Sequence, residues 1–220
     1  MPHLIRSASL TDYLEVAQSV GLDPYRMVDA VGLPRDCLRD PDVKVPLAAV
    51  ARLLESSAKA AGIDNFGLRL SEKRLLSNLG PVGLIAREQT TGRTAVEVVA
   101  RYIGLHSDGI SVRLEEDADL VIIMPVISIS RSVPIRQTVE LSVGVAFRTL
   151  RILLGTSWNP QIISFGTGQP KASRFIEEYL DHASNSLRSS MASSVELATL
   201  TNLCLRQTRS WRATFSSIWT

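Results

Sequence analysis

The first half of the chain has the apolar periodicity of α-helices. Asp23 followed by Pro24 combines a capping residue with a proline at the first helical position, which predicts the start of a short helix. Ser9 is a candidate N-cap for an earlier helix. We predict helices at about 10–20, 24–30, 47–61, 80–88 and 94–105.

After residue 110 the pattern changes to strands. Polar and apolar residues alternate over 111–115, and an apolar run follows an acidic turn at 116–119, which predicts a β-hairpin. A long helix at about 134–154, a third strand at 161–165 and a helix at 173–180 complete the pattern. The predicted class is α+β: an N-terminal helical bundle, then a small antiparallel or mixed sheet in the order strand–strand–helix–strand, covered by the long helix.

Composition places the chain among ordinary globular proteins. Hydrophobic residues make up 45% and charged residues 21% of the 220 residues. No apolar run has the length of a membrane span, and the N-terminus does not resemble a secretory signal. We therefore expect a cytoplasmic protein with no membrane partner.

Catalytic and metal-binding motifs are not evident. The sequence has no Gly-x-Ser-x-Gly, Walker, His-Glu-x-x-His or dinucleotide-binding motif. Cys37 and Cys204 are not arranged as a C-x-x-C pair, and the three histidines are widely separated. Asp117 and Asp119 are interpreted as a solvated turn. We expect no enzyme, no metal and no cofactor.

Residues 183–220 differ in composition from the rest. This tail contains fourteen Ser or Thr residues and no Gly, Pro or Asp, yet it includes Trp211 and Trp219. It also carries a net charge of +3, so that residues 1–182 are at −1 and give no electrostatic case for nucleic-acid binding. The Trp and Leu content is unusual for a flexible tail.

A shifted reading frame accounts for this tail. Reading on from His182 in another frame permits a strand with alternating apolar residues, Asp-Gly turns and a helical segment. We hypothesise that residues 1–182 form one domain and that 183–220 is a non-native tail outside the fold. In this hypothesis the frameshift replaces the native residues after 182. The sheet then lacks one strand, and the chain is less stable than an in-frame version.

Several short segments, taken in order, resemble a known family. They are Val20-Gly21-Leu22-Asp23-Pro24, Val31-Gly32-Leu33-Pro34, the segment 45–55 beginning Val45-Pro46-Leu47, Asn65-Phe66-Gly67-Leu68-Arg69-Leu70, Leu79-Gly80-Pro81-Val82-Gly83, Arg101-Tyr102 and Leu105-His106-Ser107-Asp108-Gly109. This set resembles the N-terminal effector domain of AraC/XylS-type regulators, in the branch that includes ornithine-utilisation and VirS-like regulators. The resemblance runs from about residue 10 to residue 180.

The resemblance implies a ligand-sensing and dimerising domain. It implies a small-molecule effector of unknown identity, a homodimer, and contact with DNA only through a C-terminal helix-turn-helix region, which we expect this chain to lack. The chain departs from the family at Phe165-Gly166-Thr167, where relatives often have a histidine. Any role of that histidine is not transferred.

Five residues are candidates for effector binding, each with a structural alternative. His106 could face a pocket beside Tyr102, or be a polar residue at a helix C-terminus. Arg136 and Glu140, four apart on the long helix, could line a polar pocket or form a surface pair. Trp158 could stack on a ligand or fill the core.

Two other readings of the function remain open. The chain could be a stand-alone dimerising or structural module that forms inactive mixed dimers with a full-length regulator. It could also be a truncated product without function. A small-molecule enzyme is the least favoured reading.

The frameshift hypothesis predicts a particular nucleotide sequence. Across the codons for residues 175–220 and beyond, an alternative frame should open near His182 and encode a helix-turn-helix region. Sequencing the gene through this region tests the hypothesis. If no alternative frame opens there, the tail is native and the hypothesis fails.

Overall fold

The computed structural model describes residues 2–117, 120–155, 158, 160, 162–164 and 202–206. The described α-helices are α1 (Tyr13–Ser19), α2 (Pro24–Ala30), α3 (Leu47–Ala61), α4 (Phe66–Ser71), α5 (Pro81–Arg87), α6 (Gly92–Tyr102) and α7 (Arg136–Leu154). The strands are β1 (Leu4–Arg6), β2 (Lys44–Pro46), β3 (Ile110–Asp117), β4 (Leu120–Ile127), β5 (Ile162–Ser164) and β6 (Asn202–Arg206). Short 3-10 helices include Ser7–Leu10 and Ile103–Leu105.

The predicted helix starts are confirmed where a local cap is present. The Asp23 side chain accepts hydrogen bonds from the backbone N–H groups of Tyr25 and Arg26, as expected for an N-cap. The predicted cap at Ser9 is wrong. Ser9 lies inside a 3-10 helix, and the left-handed backbone of Asp12, with φ 62°, separates that turn from α1.

The α+β class is confirmed. β1 and β2 form a two-stranded antiparallel sheet, and a second sheet has the order β3-β4-β6-β5 with every pair antiparallel. The predicted hairpin is β3–β4, with Ile110 opposite Ile127. The β1–β2 sheet and α4 were not predicted. The predicted helix at 173–180 and the turn residue Asp119 lie outside the described residues.

Strand β6 comes from the tail that we expected to lie outside the fold. It pairs with both β4 and β5, and its register places Leu203 opposite Ile123 and Leu205 opposite Val121. The structure thus pairs these five residues with the sheet, and the boundary at 182 and the non-native origin of the tail stay predictions. The alternation of Leu203 and Leu205 with polar or small residues fits a pleated strand, and β6 pairs the edge of β4 that β3 leaves open.

Helix α7 separates two apolar cores. One core lies among the sheet, α5, α6 and one side of α7, where Val143, Phe147 and Leu150 are buried. The other lies among the first four helices and the β1–β2 sheet, and Leu141 of α7 joins it. α7 is the longest described helix, with 19 residues, and it is buried on two sides. No helix in the described part is long and apolar enough to cross a membrane.

Helix α4 packs against α7 at backbone distance. A Cβ atom on Gly67 would overlap the carbonyl oxygen of Gln137, and one on Gly144 would overlap the Ser71 side chain. The Gln137 side chain secures the contact, because its Oε1 accepts from the Gly67 N–H at 2.8 Å and its Nε2 donates to the Asp64 carbonyl at 2.9 Å. Glycine is required here for close approach.

Replacing Gly67 should therefore destabilise the fold. For Gly67→Ala we expect a loss of roughly 2 kcal/mol or more in the free energy of unfolding, because the added methyl group meets fixed backbone. Gly104→Ala is the matched control, since nothing lies within 4 Å of its Cβ position. Chemical denaturation measures both. Equal midpoints for Gly67→Ala and the parent chain would contradict the close contact.

Candidate functional site

A cavity lies between the helical half of the chain and the sheet. Its volume is about 130 Å³. Its walls come from β1, the 3-10 helix Ser7–Leu10, α3, α6, β3, β4 and α7, so that residues of both cores face it. Seventeen of the 24 described residues that line it are apolar. The seven polar ones are Ser9, Arg74, Asn78, His106, Thr138, Ser142 and Thr149.

Three of the polar wall residues have unsatisfied side-chain atoms. Ser9 Oγ, His106 Nδ1 and Thr138 Oγ1 are buried and have no hydrogen-bond partner among the described residues. All three side chains are more than nine-tenths buried. Buried polar groups in folded proteins nearly always have a partner, so three such atoms around one cavity are unusual. They are available to bind a molecule in the cavity.

Among the residues that the structure describes, Arg74 is the only charged one that lines the cavity. Its Nη1 donates to the Ala8 carbonyl at 2.6 Å, its Nη2 to the Ser9 carbonyl at 2.7 Å and its Nε to the Leu70 carbonyl at 3.1 Å. These bonds hold the Ser7–Leu10 turn against the cavity. Burial lowers the pKa of the guanidinium to about 10, and Asp12 opposes this shift only by its charge.

His106 is held in its neutral form at the cavity wall. Burial, together with the positive charges of Arg6, Lys44 and Arg74, lowers the pKa of its imidazole to about 4. The backbone carbonyl of His106 accepts from the Arg6 N–H at 2.9 Å, which joins this residue to β1. Three cationic side chains therefore act on His106, of which Arg6 is itself paired with Asp42.

The structure brings one of the five predicted residues to the cavity. His106 lines it, whereas Tyr102 lies at the end of α6 with 39% of its surface exposed and is not part of the wall. Trp158 is buried against Phe147, with ring centroids 6.2 Å apart, and also lies outside the wall. The effector-binding roles of these residues stay predictions.

Arg136 and Glu140 form an ion pair away from the cavity. Arg136 Nε donates to Glu140 Oε1 at 2.9 Å, and the Glu140 side chain is only 5% exposed against 42% for Arg136. Burial raises the pKa of Glu140 to about 7, the bond from Arg136 opposes the rise, and the charges of Asp64 and Glu55 add to it. Glu140 Oε2 has no described partner.

Ser9, Arg74 and Thr138 were not predicted as site residues. Arg74 binds carbonyl groups 65 and 66 positions earlier in the chain, and any residue type supplies such a carbonyl. The spacing of residues in the sequence therefore does not predict a contact between a side chain and a distant carbonyl. Arg74 follows Glu72 and Lys73 in the sequence, both of which are exposed, so no local signal marks it as buried.

In the described part of the chain, no three potential metal-binding side chains come together. The site is an apolar cavity with a few polar groups, which is the usual form of a small-molecule site.

Comparison with known proteins assigns the chain to a class. Residues 21–183 match the family described as the arabinose-binding domain of AraC transcription regulator, N-terminal. This is a class of regulator effector-binding domains rather than of enzymes. The chain belongs to this family. It is 30% identical over 169 residues to the HTH-type transcriptional regulator VirS of Mycobacterium tuberculosis, in both strains CDC 1551 / Oshkosh and ATCC 25618 / H37Rv.

The match to VirS covers 76% of this chain and 49% of the relative. The chain therefore spans about half the length of the curated relatives it matches. The family predicted from the ordered motifs is confirmed.

The buried carboxyl group of Glu140 predicts a pH-dependent stability. Because its pKa rises from 4.5 to about 7 on folding, the folded chain binds the proton more tightly. Deprotonation of Glu140 should therefore lower the free energy of unfolding as the pH rises from about 4.5 to about 7. The full decrease is on the order of 3 kcal/mol. Glu140→Gln removes this dependence, and its stability relative to the parent should increase between pH 5 and pH 8.

Glu97→Gln is the matched control. Arg93 and Glu97 have the same spacing and the same 2.9 Å contact, but the Glu97 side chain is 47% exposed. The His106 contribution is present in both variants and cancels. Urea denaturation across this pH range measures the difference. Parallel pH profiles for Glu140→Gln and the parent chain would refute the assignment.

Proposed function

We propose that this chain is the effector-sensing domain of an AraC-type transcription regulator and that the effector binds in the cavity beside His106 and Arg74. The observation that carries the proposal is the cavity itself, with its apolar wall and three unsatisfied polar side chains. Membership of the effector-binding family supports it.

The position of the cavity supports a sensing role. Its wall combines residues of the N-terminal half, such as Ile5, Ser9 and Leu47, with Ile123 of the sheet and Leu150 of α7. A molecule bound there contacts both halves at once. Binding therefore favours the arrangement in which the two halves fit the molecule best, and this is a population shift.

The partners of the domain follow from the same class. The curated relatives are named HTH-type regulators, and the chain spans about half of their length. We infer a DNA-binding region as the output, in a protein that acts in the bacterial cytoplasm. In this proposal DNA is reached only through that second region.

Self-association is part of the proposal. Leu84 and Ile85 of α5, together with Tyr102 and Leu105, are exposed apolar side chains on neighbouring elements. Exposed apolar surface of this kind is typical of interfaces. Sedimentation at increasing protein concentration measures the dimer, and a monomer at every concentration would contradict it.

The extent of the domain agrees with this function. The family match ends at residue 183, next to the boundary proposed at 182, which supports a domain of 1–182. The strand β6 from the tail shows that residues beyond the match still pair with the sheet. A stand-alone dimerising module remains the second candidate, and it predicts self-association without any cavity-dependent binding.

Filling the cavity should abolish binding of a small apolar probe. An engineered cavity of about 150 Å³ takes up benzene, so benzene suits a cavity of about 130 Å³. Benzene should raise the thermal midpoint of the parent chain, because a ligand that binds only the folded state stabilises it. Ala146→Phe places a ring in the cavity and should remove this rise.

Ala60→Phe is the matched control, because Ala60 is exposed on α3 and does not line the cavity. It should keep the benzene-dependent rise. A rise that persists in Ala146→Phe would place the binding elsewhere and overturn the proposed site.

A further inference from the structure

The cavity wall argues against a sugar as the ligand. A pyranose presents hydroxyl groups around its whole rim, and each needs a hydrogen-bonding partner when it leaves water. Seventeen of the 24 described wall residues have side chains that form no hydrogen bond. The body of the ligand must therefore be apolar over most of its surface, whatever sugar the family description mentions.

The charges around the cavity select the polar end of the ligand. Arg74 is a buried cation that binds only backbone carbonyls and forms no ion pair with a described carboxylate. Lys44 and Arg6 add positive charge at His106. No aspartate or glutamate of the described part of the chain lines the cavity. A buried cation without a paired anion is costly, and an anionic ligand would offset that cost.

Two polar groups lie close to that cation. Ser9 contributes a carbonyl that Arg74 binds, and its own Oγ has no described partner. His106 is neutral, so its unsatisfied Nδ1 can act as a donor or an acceptor according to its tautomer. A carboxylate accepts several hydrogen bonds from such groups, whereas an ammonium ion would meet a like charge.

From this arrangement we infer that the ligand is a compact monocarboxylate with an apolar body, its carboxylate directed to Arg74, Ser9 and His106. The inference rests on the proposed function and names the chemical class of its effector. The cavity volume restricts the apolar body to about six carbon atoms, by comparison with the cavity that accepts benzene. Probes with the same apolar body and different polar groups can therefore test the role of the carboxylate.

Binding of hexanoate, hexan-1-ol, hexylamine and L-arabinose to the full chain tests the inference. Isothermal titration near neutral pH measures each. Hexanoate should bind at least about tenfold more tightly than hexan-1-ol, a difference of about 1.4 kcal/mol. Hexylamine and L-arabinose should show no saturable binding. Hexanoate should also protect the chain against thermal unfolding more than hexan-1-ol does.

Two variants assign the effect to named groups. Ser9→Ala removes a hydroxyl that has no described partner, so it should leave the thermal midpoint unchanged and weaken hexanoate severalfold. Ser19→Ala, at an exposed position of α1, should change neither quantity. Arg74→Gln should abolish the preference for hexanoate over hexan-1-ol. If Arg74→Gln does not fold, the comparison of the four probes still decides.

The outcomes separate this inference from the proposed function. If hexan-1-ol binds as tightly as hexanoate, or if hexylamine or L-arabinose binds more tightly, the carboxylate assignment is overturned. Benzene binding that is lost in Ala146→Phe would still support the cavity as the effector site. If neither benzene nor hexanoate binds, both the cavity site and the ligand class are wrong.

Discussion

The direct backbone contact between α4 and α7 determines how the two halves of this protein meet. Gly67 and Gly144 allow this contact because glycine has no side chain, and a Cβ atom at either position would overlap the opposing helix. Gln137 then joins the two elements through its amide, which binds the Gly67 N–H and the Asp64 carbonyl. Since interiors are close-packed, a fixed approach on one side of α7 also fixes the space left on its other sides. The cavity lies in that remaining space.

The cavity gives the two halves a shared apolar surface beside a small electropositive region. Arg74 ties the turn Ser7–Leu10 to the end of α4, and the backbone of His106 ties β1 to the segment after α6. These connections bring positive charge and unsatisfied polar atoms to one wall while the sheet and α7 supply hydrocarbon. A ligand that combines both characters would bind across the boundary between the two cores. In the proposed function, this is how occupancy of the cavity would favour one arrangement of the domain.

Local and distant contacts contributed unequally to the site. His106 was identified from the sequence because a polar residue after a helix is visible in the pattern. The Arg136–Glu140 pair was also visible from its spacing, and the distance of 2.9 Å shows that it forms. The burial of Glu140 and its raised pKa were not visible, because they depend on Asp64 and Glu55 from other elements. Ser9, Arg74 and Thr138 were missed for the same reason.

The sequence by itself determined the class, the α+β order of elements, the hairpin and the long helix, because hydrophobic period and capping are local properties. It also carried the ordered motifs of the regulator family. Only the tertiary structure decided the contacts between distant segments: the β1–β2 sheet, the insertion of β6 between β4 and β5, and the position of Arg74. Any residue type can supply a backbone carbonyl or part of a strand edge, so the sequence does not identify these partners. Their choice is made by packing and by the need to satisfy buried polar groups, which the linear pattern does not contain.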